Sequence, residues 1–459
     1  MSARRSGLLL ACVAAALGVA VAAGAAGGRS PSFAAPRVLA ASLDPDAVAI
    51  GDLNGDGKPD LAIANSYFDA DDDEGQAGTV SIRLGRGDGT FKPRRDYSTG
   101  GGPHSVAIGD LNGDGKPDLA TANFDEGSVS VLFNVGDGSF RSSHDYVTGD
   151  RTASVAIADL NGDRAPDVAA AVADTDTLAV LLNNGDGSLR PPVSYATGDD
   201  PFWVAVGDLD GDGKPDLATA NFGSGKTTSV FLNKGDGTFG AKVDYAAGAS
   251  PVSLAIADLT GDRKPDLAVS HFGSVSSPNF VSILPNDGDG RFGARRNYPI
   301  VEGQGSIAVG DVSGDGKADV VTGSDDNNLV SILLNGGAGR LRPPLAYPTG
   351  PGPQAVALGD LDGDGRVDLV TADNVSEVSN SVTVLLARPG RCNVQDVVRL
   401  RLAAARATLA SGDCRAGAVR SAYSKTMQRG RVVAQRPAFG AVLPAGSRVT
   451  LVLSRGPRR

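Results

Sequence analysis

Asp52-Leu53-Asn54-Gly55-Asp56-Gly57-Lys58-Pro59-Asp60 places oxygen-bearing side chains at positions 1, 3, 5 and 9 of a short loop, with glycines that let the backbone curl around one point. Such a donor set suits a hard, oxygen-seeking cation such as Ca²⁺. The pattern returns from Asp110, Asp159, Asp208, Asp258, Asp311 and Asp360, at intervals of 58, 49, 49, 50, 53 and 49 residues. One such loop is a weak signal, whereas seven at a near-constant period describe an architecture.

The second repeat shows the unit around the loop. Ser105–Gly109 is a short apolar strand entering it, Leu119–Asn123 leaves it, and Ser128–Phe133 alternates as a half-buried strand does. Asn134-Val135-Gly136-Asp137-Gly138 reads as a hairpin turn leading to a fourth strand, Phe140–Tyr146. Four short antiparallel strands cannot bury both faces alone, but seven such sheets arranged radially can. The expected fold is therefore all-β, a seven-bladed β-propeller of four-stranded blades. The fourth strand carries an aromatic residue or Leu and, six residues on, Tyr, as in Phe91/Tyr97 and Leu189/Tyr195. The last repeat stops after its third strand, Ser381–Leu386, and Phe33 with Leu39 supplies the missing register at the other end of the chain. An N-terminal strand is thus expected to complete the seventh blade and leave no open sheet edge.

Up to seven Ca²⁺ ions are expected. The first loop offers Asp52, Asn54, Asp56, the Lys58 carbonyl and Asp60; the second Asp110, Asn112, Asp114, Lys116 and Asp118; the third Asp159, Asn161, Asp163, Ala165 and Asp167. The fourth offers Asp208, Asp210, Asp212, Lys214 and Asp216, and the fifth Asp258, Thr260, Asp262, Lys264 and Asp266. The sixth offers Asp311, Ser313, Asp315, Lys317 and Asp319, and the seventh Asp360, Asp362, Asp364, Arg366 and Asp368. Loops four and seven hold the fullest carboxylate sets. In loops three and five, Arg164 and Arg263 stand where a tight turn wants Gly, so those two should be weakest. Position 12, where an EF-hand needs a bidentate Glu, holds residues such as Ile63 and Thr121, which excludes that motif. Without a cation, 23 Asp carboxylates would be crowded against like charge. The ions are expected to staple the turn between the first two strands. The second Gly-Asp-Gly series, Asp88, Asp137, Asp186, Asp236 and Asp289, lacks neighbouring acids and reads as a plain hairpin turn.

Charge divides the chain in two. Residues 391–459 carry 14 Lys and Arg against two acids, a net of +12, whereas the first 390 carry 29 basic and 51 acidic residues, a net of −22. The N-terminus, residues 1–29, reads as a secretory signal: Arg4 and Arg5, the apolar run Leu8–Val21, then small residues. Leu9-Leu10-Ala11-Cys12 loosely resembles a lipoprotein processing site, an alternative that the apolar run beyond Cys12 disfavours. No later segment has enough continuous apolar length to span a membrane. The expected location is secreted or cell-surface and cell-wall associated. Outside the signal only Cys392 and Cys414 remain, and in an oxidising compartment they are expected to pair. A zinc site would need C-x₂-C spacing and partner histidines, which are missing.

The A-I-x-D-x-[ND]-G-D-G-K-x-D-L core resembles the FG-GAP/VCBS-type repeats of integrin α-subunit propellers and many secreted bacterial proteins, across residues 32–388. The segment Gly430–Gly456, G-x-V-x-x-Q-x-P-x-x-G followed by V-x-L-x-x-S-x-G, resembles a PASTA domain, a module that can engage peptidoglycan. There Gln395 takes the usual Pro slot and Arg399 the usual Gly slot. A helix is expected over Val397–Leu409, with Val397, Leu400, Ala404 and Ala407 on one side, packed on a small sheet. The domain boundaries are then 1–29 for the signal, 30–388 for the propeller, 389–391 for a linker and 392–459 for a small α+β PASTA-like domain.

The integrin resemblance implies a ligand face opposite the metal loops, where Tyr67, Phe68, Phe124, Phe222 and Phe272 follow their second strands and Trp203 fills a slot otherwise held by Ala or Ser. Two readings of these rings stand: a recognition rim for carbohydrate or protein, or packing between blades. The acidic run at 69–74 reads as a solvated loop. No nucleophile elbow, H-E-x-x-H or phosphate loop occurs, and no acid/base pair stands out from the repeat, so no enzyme is expected. The expected function is an exported, Ca²⁺-stabilised binding or adhesion propeller, monomeric, with a basic tail that contacts peptidoglycan or another anionic wall polymer. Nucleic acid is not an expected partner. The alternatives are a catalytic or accessory propeller acting on surface polysaccharide, and a purely structural surface protein.

Overall fold

The computed structural model describes residues 30–66, 78–272, 279–300, 305–374, 380–389, 391–393, 396–411, 414–438, 440–444 and 447–457. Two compact units divide them: Ala34–Leu386, and Ala387–Arg459 together with the stretch up to Phe33.

Apolar side chains in the first unit recur with period two or in short continuous runs, which favours strands buried between layers. Among the described residues it contains seven four-stranded antiparallel sheets. The first sheet runs Pro45–Gly51, Asp60–Asn65, Thr79–Arg83 and Arg95–Ser98, in sequence order. Each Asp-rich loop joins a first strand to a second. Second and third strands are almost wholly buried, whereas fourth strands are largely exposed and carry charges such as Arg95, Asp96 and Asp145. Charged outer edges discourage pairing with other chains.

One sheet departs from sequence order. Pro353–Gly359, Asp368–Asp373 and Ser381–Leu385 take their fourth strand from Arg37–Ala40, with Leu39 opposite Val382. Tyr97 lies opposite Val80 in the first sheet, so Leu39 occupies the expected Tyr slot. Phe33 makes an isolated bridge to Ala387, as Phe91 does to Gly85.

Sheets meet through their first strands. The first strand of each sheet packs against that of the next, and Pro353–Gly359 packs against Pro45–Gly51. A Cβ on Gly51 would lie 3.0 Å from Ile108, and one on Gly359 would lie 3.2 Å from Ile50, so this approach requires a missing side chain. Serines in the slot that Trp203 also occupies reach across the same seam. The Ser154 hydroxyl accepts from Val204 N at 2.8 Å, and that of Ser306 from Val356 N at 3.0 Å.

The second unit is α+β. Arg415–Ala422 pairs in parallel and Val432–Arg436 antiparallel with Arg448–Ser454, while Arg391–Asn393 pairs with Val442–Pro444. The helix covers Leu402–Ser411 and begins later than its apolar spacing implies. Arg399 has φ 73°, a left-handed conformation that cannot lie inside an α-helix. Among the described side chains of the helix, Ala405 and Leu409 are buried and Ala404 is exposed, and Val397 enters the core from the preceding segment. Cys414 is buried in this core. The Cys392 side chain lies outside the described residues.

Candidate metal centre

Each Asp-rich loop is built from Asp side chains that fold back on their own backbone. In the first, the Asp52 carboxylate accepts from Asp56 N (3.1 Å) and Gly57 N (2.7 Å), and Asn54 Oδ1 accepts from Asp56 N. Asp56 Oδ1 accepts from Lys58 N at 3.0 Å. Short polar side chains favour such local turns because they compete well for nearby N–H groups. Arg164 and Arg263 do take the glycine-like conformation, at φ 74° and 69°, where a side chain is strained.

The position-9 aspartates differ from the rest. All seven are fully buried. Asp118 Oδ2 accepts from Leu111 N (3.0 Å) within the loop, and its Oδ1 accepts from Asn134 N (2.8 Å) at the hairpin of the same sheet. Asp216 repeats this with Leu209 N and Asn233 N. Both carboxylates therefore tie the loop to the hairpin of their own sheet.

Two loops bring three carboxylates together: Asp208, Asp210 and Asp216, and Asp360, Asp362 and Asp364, with one oxygen from each within 4.8 Å of the others. Two oxygens on one Ca²⁺ at roughly 2.4 Å each stand no more than about 4.8 Å apart, so both sets fit a single coordination sphere. These are the two loops with Asp at position 3. The Thr260 hydroxyl at position 3 of the fifth loop is buried without a hydrogen-bond partner, as a donor kept for an ion would be.

Electrostatics single out the uncompensated oxygens. Lys58, Lys116, Lys214, Lys317 and Arg366 at position 7 pair with the position-5 carboxylate, Lys116 with Asp114 at 3.0 Å. Lys264 reaches the Asp287 carbonyl instead. In the fourth loop Lys214 holds Asp212 below the usual carboxylate range. Burial pushes Asp216 up to about 6, and burial, joined by the neighbouring Asp212 and Asp208, raises Asp210. In the fourth loop the carboxyls that burial raises are thus those at positions 3 and 9. In five of the seven loops one acid has its own cation, which lowers the repulsion there below what a bare carboxylate count implies.

The expected ligand face looks different in the structure. Trp203 is 4 % exposed and packs in the seam between sheets, so it offers no ring to a ligand. Phe124, Phe222 and Phe272 are half-buried around the buried Phe202, with Phe222 and Phe272 edge to face at 5.7 Å and Phe124 6.0 Å from Phe202. His104 stacks on Phe124 at 4.3 Å and Arg151 covers the same ring at 4.8 Å. Packing between sheets is therefore the reading that fits these described rings. Tyr67, Phe68 and the acidic run at 69–74 lie outside the described residues.

One set of working residues was missed. The Asn134 side-chain amide donates to Pro117 O (2.8 Å) in its own sheet and to Leu53 O (2.7 Å) in the previous sheet's loop. Asn183, Asn233, Asn286 and Asn335 do the same around the molecule. The signal was present: Asn opens the hairpin in five repeats.

Comparison with known proteins agrees with this construction. The FG-GAP-like repeat family matches residues 52–121, 110–170, 159–219, 209–269 and 311–371, which together include all seven loops. The PASTA domain family matches residues 393–455. No curated protein sequence matches the chain. Among solved structures, a Tc holotoxin pore of Photorhabdus luminescens aligns at 17 % identity over 71 % of this chain and 18 % of its own, with a TM-score of 0.35. The V. cholerae biofilm matrix protein Bap1 aligns at 14 % identity over 78 % of this chain and 88 % of its own, with a TM-score of 0.41. This chain therefore spans under a fifth of the first structure, and both scores are too low to define a shared fold. The repeat matches cover more than half of the sequence: the chain belongs to the FG-GAP-like repeat family and ends in a PASTA domain.

Proposed function

We propose that this protein is an exported, Ca²⁺-stabilised, non-enzymatic binding or adhesion module that recognises carbohydrate or protein at the cell surface. In this reading the seven sheets are blades of one β-propeller, closed by the Arg37–Ala40 strand. The run of first-strand contacts that returns from Pro353–Gly359 to Pro45–Gly51 supports the ring. The two carboxylate triads, and the seven loops of the same pattern, support Ca²⁺ as the ion that fixes each first turn. Asp208, Asp210 and Asp216 would hold it in the fourth loop, and Asp360, Asp362 and Asp364 in the seventh; the ion supplies charge compensation and no chemistry of its own. Both families are typical of extracellular or cell-surface proteins. No helix among the described residues is long and apolar enough to cross a membrane. The leader at residues 1–29 supplies export, and pairing of Cys392 with Cys414 would tie the strand before the helix to the segment after it.

The observation that carries the functional reading is the joining of acidic repeat loops to a basic PASTA domain in one chain. The test is sedimentation with purified peptidoglycan, with and without Ca²⁺, comparing the full chain with a 1–390 truncation. Co-sedimentation of the full chain alone assigns the wall contact to the tail. Equal behaviour of both removes the tail from that role. A glycan array probed with the full chain in Ca²⁺ tests recognition itself, and silence there and toward surface proteins would leave only a structural role.

A further inference from the structure

The outer part of the first sheet carries a basic groove that the repeat does not require. It encloses about 680 Å³ and is lined by Arg86, Lys92, Arg94 and Arg95 over a floor that includes Ile82, Leu84 and Pro93, with Asp137 from the second sheet's hairpin at its edge. Ile82 and Leu84 are buried, while Arg86, Lys92 and Arg95 are exposed. Among the described residues these three cations have no carboxylate within ion-pair distance. Arg94 is shared with Asp96 at 3.4 Å, and its Nη1 is buried without a partner. The groove's one acid, Asp137, accepts from Ser139 N through Oδ1 at 2.9 Å, and its charge offsets part of that of Arg95.

The other repeats act as an internal control. The hairpin bridges fix the equivalence of positions. At the place of Arg86 the second to sixth sheets carry Val135, Asn184, Lys234, Asp287 and Gly336, and the seventh carries Arg388. At the place of Arg95 the second to sixth sheets carry His144, Val193, Val243, Arg296 and Leu345, and the seventh carries Arg37. The Lys92 place is also basic in three other sheets, as Arg141, Arg190 and Arg342, so single cations recur around the repeats. What folding does not explain is that all four places are basic together in the first sheet. They are also gathered within a segment whose net charge is −22, where dispersed cations would serve solubility better.

The geometry points to this groove as a binding site for an acidic polysaccharide, one bearing carboxylates along its chain. Guanidinium groups bind carboxylates through paired N–H donors, and the exposed Pro93 ring offers an apolar contact beside them. The volume is that of a site for a sizeable ligand rather than a simple inorganic anion. Nucleic acid is disfavoured because no aromatic ring lines the groove for base stacking. The surrounding negative field is screened within about 8 Å at physiological salt, so contact charges decide binding there. This assignment rests on the proposed role as a binding protein and names one ligand class for it.

The experiment is hydrogen–deuterium exchange of the full chain in Ca²⁺ with oligogalacturonate, neutral malto-oligosaccharide or poly-glutamate, alongside affinity measurement. The expected result is protection of residues 82–96 by oligogalacturonate and not by the neutral oligosaccharide. Arg86→Glu/Lys92→Glu/Arg95→Glu should abolish that protection and weaken binding at the groove by about tenfold or more, as expected for lost charge-assisted contacts. Reversing the same number of charges at equivalent positions, Arg141→Glu/Arg190→Glu/Arg342→Glu, should leave it intact. Unchanged melting of both variants confirms that they fold. Protection by poly-glutamate equal to that by oligogalacturonate, or survival of protection in the groove variant, overturns the assignment. Protection confined to residues 391–459 overturns the groove while leaving glycan binding in place. A protein that binds no glycan or protein at all refutes the underlying reading as well.

Discussion

Asn183 shows how much of the inter-sheet order rests on single side chains. It is fully buried, and its amide holds the carbonyls of Leu111 and Pro166, which belong to two different sheets. Asn183→Ala would leave both buried acceptors without their donor, at a cost of roughly 1–3 kcal/mol. Urea denaturation should show that loss as a lower midpoint with an unchanged slope. Asp46 is a different case. Burial raises its carboxyl to about 7, against hydrogen bonds from Ser66 and Asn374 that lower it. Burial, with the charge of Arg151, lowers His104 to about 3, so the 3.7 Å approach of these two side chains is not an ion pair near pH 6. A raised acid favours the folded state most below its unfolded value, and that contribution is lost as pH climbs from about 4 through about 7. Asp46→Asn should therefore melt higher than the parent at pH 8, with the difference closing toward pH 4; the reverse trend would contradict the burial argument. His104 works in the opposite direction, losing stability as pH falls below about 6.5, and is common to both proteins.

At the scale of elements, the hairpin-and-loop unit was readable because its punctuation is local. Glycine, Asp and alternating apolar residues fix strand ends within a residue or two, and the Phe33/Leu39 register located a strand some 340 positions from its partners, Arg37 opposite Val384. Removing residues 30–41 would strip the outer neighbour from Ser381–Leu385 and leave an unpaired edge. Lower thermal stability and concentration-dependent association should follow, and unchanged melting would show that this pairing contributes nothing. The rest was hidden where contacts are non-local. Trp203 looked like a surface anomaly because its slot was otherwise Ala or Ser, yet that slot faces the neighbouring sheet, where Ser154 and Ser306 make hydrogen bonds and Trp203 fills volume. The helix start was misplaced because Arg399 carries a backbone conformation that apolar spacing does not encode. The basic groove escaped notice for a similar reason: Arg86 and Arg95 are nine positions apart, and only the hairpin brings them to one side.

At the scale of the molecule, one account joins these parts. Position-9 aspartates and hairpin asparagines tie loops to hairpins and sheet to sheet through hydrogen bonds. The remaining loop carboxylates leave negative charge, against which a position-7 cation stands in only five of the seven loops. A divalent ion at each strong site would remove that repulsion and lock the turn, as binding to the folded state alone requires. The central claim is thus that Ca²⁺ stabilises the repeat domain through these loops. The direct measurement is calorimetric melting of the full chain in millimolar Ca²⁺, in Mg²⁺ and in EDTA. The account predicts a melting temperature lower by about 10 °C or more in EDTA, restored by Ca²⁺ and not by Mg²⁺, which demands a tighter octahedral site. The same melting temperature in Ca²⁺ and EDTA would contradict it.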